Sequence, residues 1–160
     1  MINLSKKNYL QILFFLSILI LSAAYSIQYL FGYQPCNLCI IERIPYILTI
    51  IIVTLSYIFE KDQTFYSILL LLVFLFSFLI SVYHFGIEQG FIEESAVCVS
   101  KNVDLITKDD ILKSLQELNI NCKDVTLKIF DLSLTTYNII ISIFMFLMSA
   151  KIYLINNETK

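Results

Sequence analysis

The stretch FYSILLLLVFLFSFLISVYHF, residues 65–85, decides the fold class, because it runs for its whole length without an Asp, Glu, Lys or Arg. As a helix at about 1.5 Å per residue it reaches roughly 30 Å, the thickness of a bilayer's hydrocarbon core. Working outward, three more segments have the length and apolar character to cross: about Tyr9 to Phe31, Ile40 to Phe59 and Leu132 to Ile155. Hydrophobic residues make up 58% of the 160 residues and charged residues 15%, against about 25% charged in soluble domains. The chain is therefore expected to be an all-α integral membrane protein. The sequence predicts four spanning helices in one membrane domain over residues 1–160, with no room for a separate soluble domain. Lys6 and Lys7 ahead of the first apolar run give it the look of a secretory signal. No A-x-A site follows Ala23 and Ala24, so it is read as a retained helix.

The spans leave two polar gaps, 32–39 and 86–131, and parity puts both on the same side of the membrane. Each gap carries two of the four cysteines: Cys36 and Cys39 in the first, Cys98 and Cys122 in the second. All four thiols can therefore meet, and thiol or disulfide chemistry at a membrane surface follows. Orientation rests on loop length more than on charge. Lys6, Lys7, Lys61, Lys151 and Lys160 lie on the amino-terminal side; Arg43, Lys101, Lys108, Lys113, Lys123 and Lys128 lie on the other. The raw counts nearly balance, but the first set sits in short flanks close to helix ends, which is where positive charge determines orientation. Both termini are then expected in the cytoplasm and the cysteines in the oxidising compartment, where disulfides persist.

Net charge is −2, no basic cluster suggests nucleic acid, and the long gap is acidic, which argues against binding anionic lipid through it. Tryptophan is absent, leaving tyrosines such as Tyr9, Tyr29, Tyr33 and Tyr153 as interfacial anchors. A connection as long as 86–131 is usually functional or disordered. Thr107 and Asp110 have the spacing of a capping box, and Ile111, Leu112, Leu115 and Leu118 share one helical face, so the gap is expected to carry a short amphipathic helix. Such a helix lies on the membrane surface or packs on the protein itself.

Three chemistries suit the cysteines. Zinc is one, but Cys98 and Cys122 lack close spacing, and the only histidine, His84, falls in the third span and not in the loop. Two structural disulfides are another; a bridge closing the loop from Cys98 to Cys122 is worth about 3 kcal/mol, while a C-x-x-C bridge closes too small a ring to add much. The third is redox cycling, the usual employment of C-x-x-C. Cys36 and Cys39 stand at the entrance to the second span, where a helix N-terminus and a nearby cation favour thiolate. Arg43 is that cation, one helical turn beyond Cys39 and near the edge of the hydrocarbon, where an ionisable residue is a functional candidate and snorkelling the plain alternative. Pro45 belongs in the first turn of the regular helix, so the Cys36 to Ile44 stretch is expected to be irregular. His84 either delivers a proton near the same membrane face or is hydrogen-bonded structure. Glu88, one turn beyond, is a possible partner if the helix continues that far.

The segment Pro35-Cys36-Asn37-Leu38-Cys39-Ile40-Ile41-Glu42-Arg43-Ile44-Pro45-Tyr46 resembles the P-C-x-x-C segment and following arginine of the disulfide bond formation protein B (DsbB) family. Tyr83-His84-Phe85-Gly86-Ile87-Glu88-Gln89-Gly90 resembles the end of the third span in one branch of it, and Cys122 followed by Leu132-Ser133 and Asn138 resembles the entry to the fourth. Asp131 departs from the pattern, since a glycine is expected there.

The resemblance covers nearly the whole chain and implies a four-helix bundle that acts as a protein-disulfide:quinone oxidoreductase of the bacterial inner membrane. Such an enzyme reoxidises a DsbA-like thioredoxin-fold oxidase of the periplasm and passes the electrons to ubiquinone or menaquinone. It also implies roles for the catalytic residues Cys36, Cys39, Cys98 and Cys122. Cys98 and Cys122 form the disulfide that the partner attacks, with Cys98 entering the mixed disulfide. Exchange then reaches Cys36 and Cys39 through a Cys36–Cys122 bridge. Cys39 and Arg43 face the quinone, with His84 a further candidate for its site. Two alternatives stand beside this reading. One is a non-catalytic membrane protein whose disulfides brace an extracytoplasmic binding loop. The other is a reductase of the vitamin K epoxide type, disfavoured because that type carries its C-x-x-C deeper, in a later span.

Overall fold

The computed structural model describes residues 6–59, 62–93, 98, 122–123, 127–129 and 132–158. Its elements in chain order are α1 (Lys6–Tyr29), α2 (Asn37–Ile41), α3 (Ile44–Ile58), α4 (Gln63–Glu88), the two-residue strands β1 (Lys128–Ile129) and β2 (Leu132–Ser133), and α5 (Leu134–Glu158). The strands pair antiparallel, Lys128 opposite Ser133 and Ile129 opposite Leu132. Four helices are long and apolar enough to cross a membrane, with Asn37–Ile58 acting as one span broken near its start. The protein is thus an all-helical, multi-pass membrane bundle, as its hydropathy predicts. The expected amphipathic helix with Ile111, Leu112, Leu115 and Leu118, and the turn at Asp131, lie outside the described residues.

The helices pack in the manner of a chain dissolved in lipid. Large apolar side chains such as Phe65, Leu72, Leu79 and Leu147 point outward, while Ser67, Ser77, Ser81, Ser142 and Ser149 are buried between helices. Lipid offers no hydrophobic drive to bring helices together, so small residues that allow close approach and hydroxyls that bond across the gap do that work. Ser77 and Ser142 join α4 to α5 at 2.9 Å, and Asn138 Nδ2 donates to Ser81 Oγ at 2.7 Å. Tyr46 of α3 donates from its hydroxyl to Asn138 Oδ1, tying a third helix to the same point. Toward the other end Asn156 reaches Ser67 Oγ at 3.3 Å and the Gln63 carbonyl at 3.2 Å. Between these polar ties lies an apolar core that includes Leu13, Val53, Leu70, Phe74 and Met145.

Two details of the helix ends position the site. The second span breaks at Glu42 and Arg43 because Pro45 has no N–H to give and its ring would clash with the carbonyl of Ile41. The stretch expected to be irregular therefore contains one short helix, α2, ahead of the break, and Pro45 does occupy the first turn of α3. The third span ends later than expected, at Glu88 and not Phe85. Gly86 is helical and buried against Ile92, whose Cδ1 would lie 2.6 Å from an added Cβ. Gly90, at φ 76°, then turns the chain so that the Phe91 and Ile92 amides bond the Gly86 carbonyl. A glycine in that left-handed region is a helix stop free of the strain a side chain would bring.

Candidate functional site: a thiol pair between a second disulfide and a membrane cavity

Cys36 is the N-cap of α2. Its sulfur accepts from the Cys39 amide at 3.3 Å, and the two sulfurs share a hydrogen bond 2.9 Å apart. Burial raises a thiol's pKa by disfavouring the charged form, but here it is outweighed. The hydrogen bond with Cys39, and after it His84, hold Cys36 well below the usual thiol range, at about 4. Of the free pair, Cys36 is the sulfur whose hydrogen bonds favour the anionic form.

Cys98 and Cys122 are joined by a disulfide, and both are buried with Cys36, Leu38 and Ile87 in one cluster against which Cys39 packs. The cysteines read from sequence as able to meet are brought together. The free pair also lines a cavity of about 260 Å³ between α1, α3 and α5. Its wall is largely aliphatic, from residues such as Ile20, Leu21 and Ile141, with Cys39, Arg43 and Tyr46 among the groups that interrupt it. That size suits one small ring system and not a drug-sized ligand.

Arg43 is fixed from α1. Its Nη1 donates to Gln28 Oε1 at 2.6 Å, and its Cζ lies 4.8 Å from the centroid of the Tyr25 ring. Tyr25 in turn stacks on Tyr29. Neither Gln28 nor Tyr25 stands out in the sequence. Gln28 is a polar residue near the end of an apolar span, which is the one signal that marks it.

His84 is 1% exposed and faces Cys36, its Nε2 3.5 Å from the sulfur, while its Nδ1 lies 3.1 Å from Glu42 Oε1. Its acidic partner is thus Glu42, which is 8% exposed, and the expected Glu88 is one link away. Thr135 Oγ1 lies 3.4 Å from His84 Nδ1 and donates to Glu88 Oε1 at 2.6 Å. Ser133 Oγ donates to Glu88 Oε2 at 2.7 Å and caps α5 by accepting from the Thr136 amide. His84 is not among the residues lining the cavity; Cys36 stands between. The donor atoms of Cys36, Cys39 and His84 lie within 4.8 Å of one another, a juxtaposition of a histidine with the C-x-x-C that the sequence spacing conceals. With Cys98 and Cys122 in a disulfide, a four-cysteine zinc site is not formed.

The family described as disulfide bond formation protein DsbB matches residues 6–152 of this chain. The chain belongs to the DsbB family. It is also 32% identical over 151 residues to the uncharacterized protein RP370 of Rickettsia prowazekii (strain Madrid E), covering 89% of this chain and 87% of that one. No solved structure matches it. Membership assigns a role in disulfide-bond formation at a membrane, as an oxidoreductase, and the geometry of Cys36, Cys39, Cys98 and Cys122 accords with that class of chemistry.

Proposed function

We propose that this protein is a protein-disulfide:quinone oxidoreductase of the bacterial inner membrane, with both termini cytoplasmic and its cysteines facing the periplasm. It reoxidises a DsbA-like, thioredoxin-fold oxidase and delivers the electrons to ubiquinone or menaquinone. One observation carries this reading: the Cys36–Cys39 pair borders the Cys98–Cys122 disulfide on one side and a largely aliphatic cavity on the other. Thiol exchange needs water and a soluble partner, whereas a quinone is confined to lipid. A C-x-x-C between the two serves both.

The residues present fit a quinone head group. The aliphatic wall suits its ring, Arg43 offers charge-assisted donors to a ring oxygen, and Cys39 presents a sulfur to the same space. When bound, the quinone supplies the acceptor for two electrons and two protons. The chain does the rest. The free Cys36 and Cys39 must first be oxidised to a disulfide, their two electrons going to the quinone. Cys98 then takes the partner's attack, and Cys122, released as thiolate, attacks Cys36 of that disulfide, breaking the Cys36–Cys39 bond and releasing Cys39 as thiolate. Arg43, held by Gln28 and Tyr25, would stabilise negative charge on Cys39 and on a bound quinone's oxygen. Arg43→Ala is expected to slow quinone use far more than oxidation of the partner in a single turnover. Equal loss of both would contradict the assignment.

A further inference from the structure

The mechanism above leaves one buried group unused. His84 on α4 and Glu42 in the break between α2 and α3 are enclosed near the thiol pair, and the Glu42 carboxylate faces the His84 ring. A carboxylate can only accept, so the contact at 3.1 Å keeps a hydrogen on His84 Nδ1 and aims Nε2 at Cys36, 3.5 Å away. This is the order of parts that activates a nucleophile elsewhere: sulfur, imidazole, and a third group that fixes the ring.

We propose that Cys36, His84 and Glu42 form a triad. His84 Nε2 holds the proton opposite the Cys36 sulfur whenever that sulfur leaves or attacks, and Glu42 is the positioning residue that fixes the ring's tautomer and direction. The inference rests on the thiol-exchange reading and deepens it. In the closing step of exchange, Cys98 thiolate attacks Cys122 of the Cys36–Cys122 bridge. The Cys98–Cys122 bond forms, the Cys36–Cys122 bond breaks, and the electron pair stays on Cys36. The step needs no external oxidant, since one disulfide replaces another. The imidazolium N–H of His84 meets that electron pair across the 3.5 Å contact.

Among the described residues, the titratable groups around the sulfur are Cys39 and Glu42 on the second span and Tyr83, His84 and, through Thr135 of the fourth span, Glu88 on the third; the loop disulfide does not titrate. Thr135 and Ser133 hold Glu88 by two hydrogen bonds, so it braces the far side of the network without touching the sulfur. The low thiol pKa of Cys36 agrees with a cation held at this distance.

The test is the pH profile of Cys36 alkylation in the fully reduced protein, in detergent with EDTA present to exclude a bound metal, read by peptide mass. It needs neither quinone nor partner, so its outcome is separate from that of the quinone reading. In His84→Gln the alkylation midpoint is expected to rise by about one pH unit or more, and in Glu42→Gln to rise by less. An unchanged midpoint in His84→Gln overturns the triad. Should either variant fail to fold, the wild type still decides. His84 is the only histidine in the chain, so its ring nitrogens give an unambiguous NMR signal. Ring and thiol are expected to share their titration midpoints. A ring that titrates identically whether Cys36 is free or alkylated refutes the proposal.

Discussion

Replacing Gln28 with leucine tests how the site's cation is held. Gln28 Oε1 accepts from Arg43 Nη1 at 2.6 Å in a half-buried setting. A hydrogen bond to a charged group contributes about 1.5–3 kcal/mol, and partial exposure favours the lower end. If Arg43 binds the quinone head group, losing about 1.5 kcal/mol of positioning raises the KM for quinone about tenfold. The Tyr25 ring, 4.8 Å from the guanidinium, contributes a further 0.5–1 kcal/mol or so, and removing both supports brings the effect to roughly thirty- to seventyfold. The assay is the initial rate of quinone reduction against quinone concentration, with reduced thioredoxin-fold oxidase in excess. The same two substitutions are then made in Arg43→Ala, where they have nothing left to position and are expected to cost little more. An unchanged KM in Gln28→Leu, or losses that add in full on top of Arg43→Ala, would refute the reasoning.

Three other outcomes follow from the geometry. Reduced Cys36 is already ionised above about pH 4, so its alkylation is expected to hold its rate from neutral pH down to about 5 and to fall only near 4. A profile falling from pH 8 onward would mean an ordinary thiol. Asn138→Leu removes the partners of both Ser81 and the Tyr46 hydroxyl and is expected to cost about 1–3 kcal/mol, seen as a lower denaturation midpoint in micelles; Ser77→Val, which breaks one hydroxyl pair, costs about 0.6 kcal/mol. In intact cells treated with a reductant, Cys98 is expected to react with an impermeant maleimide from outside. Labelling only after the inner membrane is opened from the cytosolic side would invert the topology.

The spans were legible because hydropathy and length are properties of single segments, and the observed ends differ by a few residues. The third span shows why ends are harder. The apolar run ends at Phe85, yet the helix continues through Gly86, where Ile92 leaves no room for a side chain, and the turn that ends it falls at Gly90. Pro45 was legible since its effect is local. His84 with Glu42, and Arg43 with Gln28, were not legible as pairs. Each depends on how two helices rotate against one another, and an apolar sequence carries little periodicity to fix that rotation. The serines were hidden for a related reason. In a bilayer the polar small residues face inward, so the pattern that marks a soluble core has no counterpart here. The C-x-x-C with its following arginine was legible as chemistry; its nearest acid and imidazole were supplied by the fold.

The central claim is that electrons pass from a thioredoxin-fold partner through Cys36 and Cys39 to a quinone. It is tested most directly by following quinone absorbance in the purified protein given reduced partner, beside Cys36→Ser and Cys39→Ser. The account predicts that the wild type consumes quinone and that neither variant turns over. Quinone loss that survives removal of either thiol, or a wild type inert toward both ubiquinone and menaquinone analogues, would contradict it.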